Sequence, residues 1–182
     1  MNRVEMISSP LNQVHLMKTE TISLGERYDS ATPWLQSVGL SDQENLRTWR
    51  NSHASSFFYT EMITSEDQRK WFAAYLYRPD DFLFMVMEAN RAVGCIGIRF
   101  RQGGWDIYNL IRGVRSTGSA GYMSQALRMV IEYAQGVRSG CVRADVITDN
   151  PALSWYLHND FVIVGEDERS FQIEYQGEVV LA

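Results

Sequence analysis

The sequence predicts an α+β domain: a twisted, mixed and mostly antiparallel sheet of six to seven strands carrying about four helices. Three observations predict it. Two capped helical stretches come first, a run of strand-like segments joined by tight turns follows, and strands then alternate with helices before a closing hairpin. The chain has 182 residues, 45% hydrophobic and 21% charged, which suits one domain with a real core.

Residues 1–34 show no sustained period and hold Pro10 and Pro33. They read as an irregular N-terminal extension with a short strand around Thr21–Leu24, ahead of a domain over 35–182. In SDQENLRTWRNSH, Ser41 and Glu44 form a capping-box pattern, and Asp42 suits a positive helix end. TSEDQRKWFAAYLYRP repeats the device. Thr64 or Ser65 caps, acids fill the first turn, Trp71, Phe72, Tyr75 and Leu76 form an apolar face, and Pro79 stops the helix. DFLFMVMEANRAVGCIGIRF reads as two strands around a turn at Ala89–Arg91, and WDIYNLIRG as the next strand. Alternation along that strand puts Trp105, Ile107 and Asn109 on one face and Asp106, Tyr108 and Leu110 on the other. Met123, Ala126, Leu127, Val130, Ile131 and Ala134 then recur at helical spacing, with Gly136 and Gly140 placed to end the helix. CVRADVIT is a strand. DNPALSWYLHND is a short helix capped by Asn150 with Pro151 in its first turn, and DFVIVGED and RSFQIEYQ close as a hairpin.

Composition narrows the function. Seventeen basic against 22 acidic side chains give a formal charge of −5, which argues against a nonspecific nucleic-acid binder. No apolar run approaches a membrane span, and the first residues lack a signal peptide's apolar block. Cys95 and Cys141 lie in strand-like runs and read as reduced, buried side chains. The three scattered histidines form no metal-ligand cluster. A cytoplasmic protein, monomer or homodimer, without metal, nucleic-acid or membrane partner, is the expectation.

The stretch RSTGSAGYMSQAL places Arg115, Gly118 and Ala120 at R-x-x-G-x-A spacing directly before the long helix. Free N–H groups at a helix start favour an anion. Gly118 removes a Cβ that would block close approach, Ala120 is small, and Arg115 adds charge. An ordinary strand-to-helix turn has the same residues. Arg99, Arg101 and Arg112 either meet further phosphates or form a solvated strand face.

Together, the element order and this motif resemble the GNAT superfamily of acyl-CoA N-acetyltransferases over roughly residues 36–176. DNPALSWYLHNDF supports the resemblance, with Asp149, Ala152, Tyr156 and the Asp160-Phe161 pair at the family's spacing, although Asp149 stands where Asn is usual and Asp160 where Gly is usual. LRTWRN, with Trp49, Arg50 and Asn51, is similar to the branch of ribosomal-protein N-terminal and nucleotide amino-sugar acetyltransferases.

The resemblance implies a GNAT-like sheet splayed after the fourth strand, WDIYNLIRG, to admit acetyl-CoA. It also implies direct transfer of acetyl to a primary amine, on an amino sugar nucleotide or a protein N-terminus. Arg115, Ser116, Thr117, Gly118, Ser119 and Ala120 would take the pyrophosphate, with Leu110, Ile111 and Asn150 as further cofactor contacts. Tyr156 would protonate the leaving thiolate, since a thiol of pKa ~8.5 leaves as an anion while a phenol of pKa ~10 keeps its proton. Asp106 is the candidate base or water relay, and Arg50, Glu61 and Tyr108 are candidate acceptor contacts. An amine of pKa ~8 costs only about 1.4 kcal/mol to deprotonate at pH 7, so a strong base is not obligatory. A non-catalytic acyl-CoA-binding or regulatory module on the same fold is the alternative.

Overall fold

The computed structural model describes residues 18, 21–27, 32–114 and 121–178. In chain order the elements are β1 (Ser23–Leu24), β2 (Trp34–Ser37), α1 (Gln43–Ser52), α2 (Ser65–Tyr75), β3 (Asp81–Glu88), β4 (Arg91–Arg101), β5 (Gly104–Arg112), α3 (Tyr122–Val137), β6 (Val142–Ile147), α4 (Ala152–Leu157), β7 (Phe161–Glu166) and β8 (Ser170–Tyr175). The strands form one sheet in the order β1-β2-β3-β4-β5-β6-β8-β7. Every neighbouring pair is antiparallel except β5 and β6, which run parallel. The eight strands exceed the six to seven expected because β2, four residues directly behind Pro33, is defined by its pairing with β3 rather than by a pattern of its own.

Helix starts follow their caps with one exception. Thr64 Oγ1 accepts from Asp67 N–H at 3.1 Å, and Asp67 accepts in return from Thr64 N–H at 3.1 Å, a complete capping box for α2. The Ser41–Glu44 box does not form. A 3-10 turn at Leu40–Asp42 precedes α1, Asp42 accepts from Gly39 N–H at 2.8 Å, and Glu44 bonds Arg47 one turn on. α3 runs through Gly136, whose missing side chain costs less than the continued helix gains, and stops at Val137.

Two hydrophobic clusters sit on opposite faces of the sheet. On one face α3 contributes Ala126, Leu127, Val130, Ile131 and Ala134 against Phe84, Ile96, Ile98, Trp105 and Ile107. On the other, Leu46 and Trp49 of α1 and Phe72 and Tyr75 of α2 pack on Leu83, Met85, Cys95 and Ile111.

β5 changes face along its length. Its register against β4 shifts between Cys95 and Gly97, and Asn109 has φ of +46°. Simple alternation therefore fails after Tyr108. Leu110 packs with Trp105 and Ile107, and Ile111 emerges on the face of Trp49 and Cys95. The inserted residue makes both side chains swap sides.

Candidate functional site

β5 and β6 share two register pairs, Trp105 with Val142 and Asp106 with Arg143, and then part. Beyond Asp106 the side of β5 that faces β6 has no ladder partner among the described residues, which is the splay expected after WDIYNLIRG. A cleft of about 1290 Å³ opens there. Its walls come from the end of α1 and the loop behind it, from β4 and β5, and from the starts of α3 and α4.

Tyr156 projects into this cleft from α4. Its ring packs edge-on against Trp155 and Phe161, with centroids 5.1 and 5.2 Å away. The hydroxyl has no hydrogen-bond partner among the described residues. Burial, and secondarily the charge of Asp106, push the phenol above its ordinary value, so it keeps its proton through neutral pH.

Asp106 lies beside it on β5, 4% exposed. Its Oδ2 accepts from Arg99 Nε at 2.9 Å and forms an ion pair with Arg101, whose Nε lies 3.0 Å away. Arg99 and Arg101 on β4 and Arg112 on β5 all line the cleft, the first two ion-paired with Asp106. Tyr108 also lines the cleft, but its hydroxyl donates to Asp81 Oδ1 and its ring lies over Gly97, where a Cβ would stand 2.5 Å from the ring. Burial, then Asp81, raise this phenol well above its usual value. The Cys95 thiol lines the cleft as well. It donates to Asn109 C=O at 3.3 Å, and burial pushes it up to about 12, which leaves it a protonated small hydrophobe.

The three residues of W-R-N at the end of α1 have separate tasks. Trp49 packs on Gly113, at the end of β5. Asn51 bonds both backbone groups of Ile63, donating to its C=O at 2.9 Å and accepting from its N–H at 2.8 Å, and so closes the loop between α1 and α2. Arg50 turns into the cleft. Its Nη2 donates to Tyr59 C=O at 2.7 Å, its guanidinium lies 3.6 Å from the centroid of the Phe57 ring, and its buried Nη1 donates to nothing among the described residues. Burial lowers its pKa.

Asn150 ties the same loop to α4. Its Oδ1 accepts from Ala152 N–H at 2.9 Å, capping the helix, and its Nδ2 donates to Ser56 C=O at 3.2 Å. Asp160 has φ of +64°, the left-handed region that favours glycine and that Asp tolerates, which accounts for the usual glycine there.

Seven of the candidate residues, Arg50, Asp106, Tyr108, Leu110, Ile111, Asn150 and Tyr156, line one cleft. Glu61 does not. It is exposed in the α1–α2 loop and accepts from the Tyr59 hydroxyl at 2.7 Å. Arg115, Ser116, Thr117, Gly118, Ser119 and Ala120 lie outside the described residues, and the next two, Gly121 and Tyr122, line the cleft. Sequence reasoning missed Asp81 as the partner of Tyr108 and the aromatic wall of Phe57, Phe58 and Tyr59. The aromatic run SSFFYT was the available signal for that wall.

Residues 34–154 match a family described as "Acetyltransferase (GNAT) domain". The chain belongs to the GNAT acetyltransferases. No curated protein matches it. Solved GNAT structures share its fold at low identity. One is an apo nucleotide-linked sugar GNAT, FdhC, 15% identical, with a TM-score of 0.67 over 80% of this chain and 86% of that one. Another is spermidine N-acetyltransferase from Vibrio cholerae in complex with CoA and spermine, 14% identical, with a TM-score of 0.66 over 80% and 94%. A third, from Salmonella typhimurium, modifies the N-terminal serine of ribosomal protein L7/L12. It is 16% identical, with a TM-score of 0.64 over 79% and 93%. These relatives differ in acceptor, and the likeness distinguishes no branch of the GNAT family. Among the described residues no cluster of His, Cys, Asp or Glu is placed to hold a metal ion, and no helix is long and apolar enough to cross a membrane.

Proposed function

We propose that this GNAT chain transfers an acetyl group from acetyl-CoA directly to a primary amine, on an amino sugar nucleotide or a protein N-terminus. The observation that carries the reading is the Tyr156 hydroxyl. The Tyr156 side chain is buried, and its hydroxyl, kept protonated and without a hydrogen-bond partner among the described residues, faces the cleft where β5 parts from β6.

The cleft suits an extended thioester arm. Beyond Asp106, β5 offers backbone groups without a ladder partner among the described residues, as a sheet edge does to an added strand. The bulge at Asn109 turns Leu110 and Ile111 to opposite faces, and both line the cleft. Residues 115–120 supply the pyrophosphate amides, and Arg112 adds charge beside them. Calorimetry on a folded Gly118→Asp variant checks this loop. Acetyl-CoA affinity falls tenfold or more, since about 1.4 kcal/mol corresponds to each factor of ten.

Tyr156 donates its proton to the departing thiolate. Asp106 takes the proton of the amine through water. A strong base is not required, because an amine whose pKa lies near 8 costs only about 1.4 kcal/mol to deprotonate at pH 7. The Cys95 thiol, protonated and turned to a carbonyl, is no nucleophile, in keeping with transfer in one step.

The test is release of free CoA from acetyl-CoA across a broad panel of primary amines, with products identified by mass spectrometry. Turnover that yields N-acetylated product supports the reading. Tight acetyl-CoA binding with no amine acetylated overturns it in favour of a binding module.

A further inference from the structure

Arg50 is a cation set into the cleft wall with part of its donor capacity unspent. One edge of the guanidinium bonds Tyr59 C=O at 2.7 Å, and one face lies on the Phe57 ring at 3.6 Å. These contacts fix its orientation. They leave Nη1 buried with no partner among the described residues. A buried donor left unpaired is costly, more so on a charged group.

The acids that line the cleft have other occupations. Asp67 caps α2 through Thr64, Asp106 is shared by Arg99 and Arg101, and Asp145 lies 3.9 Å from Arg101. No ion pair of Arg50 occurs among the described residues.

Arg50 reaches the cleft from α1. α1 packs on the sheet face opposite α3, whose start follows residues 115–120. The loop that orients Arg50 is pinned at Ile63 by Asn51 and at Ser56 by Asn150. Arg50 therefore stands in the cleft wall on a braced support.

Building on the acetyl-transfer reading above, we infer that Arg50 is the specificity residue for the acceptor, and that the acceptor is a primary amine carrying an oxyanion, phosphate or carboxylate, bound by Arg50 Nη1. The ion pair forms in a cleft partly shielded from water, beside the Phe57 ring, where a charge-assisted bond is stronger than at an open surface. The aromatic side chains Phe58 and Tyr59, half-exposed next to it, give the rest of such an acceptor an apolar surface.

The experiment takes the amine panel of the preceding section and arranges it in matched pairs: phosphoethanolamine with ethanolamine, C-terminally amidated Ser-Asp with amidated Ser-Asn peptides, and further pairs of the same design. The preferred acceptors belong to the charged member of their pairs, phosphate-bearing or carboxylate-bearing according to which series is turned over. In Arg50→Gln the KM for that acceptor rises roughly 10- to 100-fold, while kcat, acetyl-CoA affinity and the kcat/KM of the uncharged partner change little. Arg50→Met serves if the Gln variant is unstable, with thermal melting to show that either is folded. Equal turnover of charged and uncharged partners, or an unchanged KM in both folded variants, overturns the inference while the acetyl-transfer reading stands. Failure of every amine in the panel, with acetyl-CoA still bound, overturns the reading and the inference with it.

Discussion

The indole of Trp49 lies so close to Gly113 that a Cβ built on the glycine falls 2.1 to 2.6 Å from its ring atoms. Trp49 is 6% exposed among Phe72, Cys95 and Ile111, so the ring has no room to retreat. The contact joins the end of α1 to the end of β5, two residues before the expected pyrophosphate loop.

Gly113→Ala is therefore expected to overpack this junction and to cost about 1–3 kcal/mol of stability. Chemical denaturation measures it. An unchanged midpoint would show that Trp49 shifts without strain.

Asn51→Ala removes both bonds to the Ile63 backbone at once. The Ile63 amide is expected to lose its protection from hydrogen exchange, while core amides on β3 and β4 keep theirs. Because the loop orients Arg50, the KM for the acceptor rises with acetyl-CoA affinity unchanged. Retained protection at Ile63 would mean that other contacts hold the loop.

Lys18 provides a pH signature. Its Nζ stands 3.6 Å from the centroid of the Tyr75 ring and donates to Asp81 C=O. Burial is the main cause that lowers its pKa from 10.5 to about 8, with Asp81 opposing and Arg78 reinforcing the shift. Between those two values the unfolded chain binds more protons than the folded one, so this lysine makes stability rise with pH. Below pH 8 both states are protonated and the contribution is flat. The stability of wild type minus that of Lys18→Met is expected to increase from pH 8 to 10, with tyrosine and cysteine titration cancelling in the difference. A flat or falling difference would place the ammonium in water.

Much of the fold was legible from local chemistry. The Thr64–Asp67 box, the apolar stripe of α3 and the Asn150 cap all use partners within four residues, and each formed. Features that depend on distant partners were not legible. β2 is a strand because β3 accepts it, Gly39 rather than Ser41 meets an acid, and the Asn109 bulge arises from register against Cys95 and Gly97. The site divides the same way. Tyr156, Asp106 and Arg50 could be named from spacing and family likeness. That two arginines share Asp106, that Asp81 holds Tyr108, and that Arg50 keeps an unpaired donor are facts of tertiary contact.

The central claim is that the Tyr156 phenol supplies the proton that lets CoA leave. The direct measurement is single-turnover acetyl transfer by wild type and Tyr156→Phe, with the same amine, across pH 6 to 9. The ring contacts with Trp155 and Phe161 survive in the variant, so melting temperature and acetyl-CoA affinity are expected to stay close to wild type. The rate constant is expected to fall by about 10²-fold, within the range for loss of a general acid. A folded Phe variant that transfers acetyl at the wild-type rate throughout that range would contradict the account.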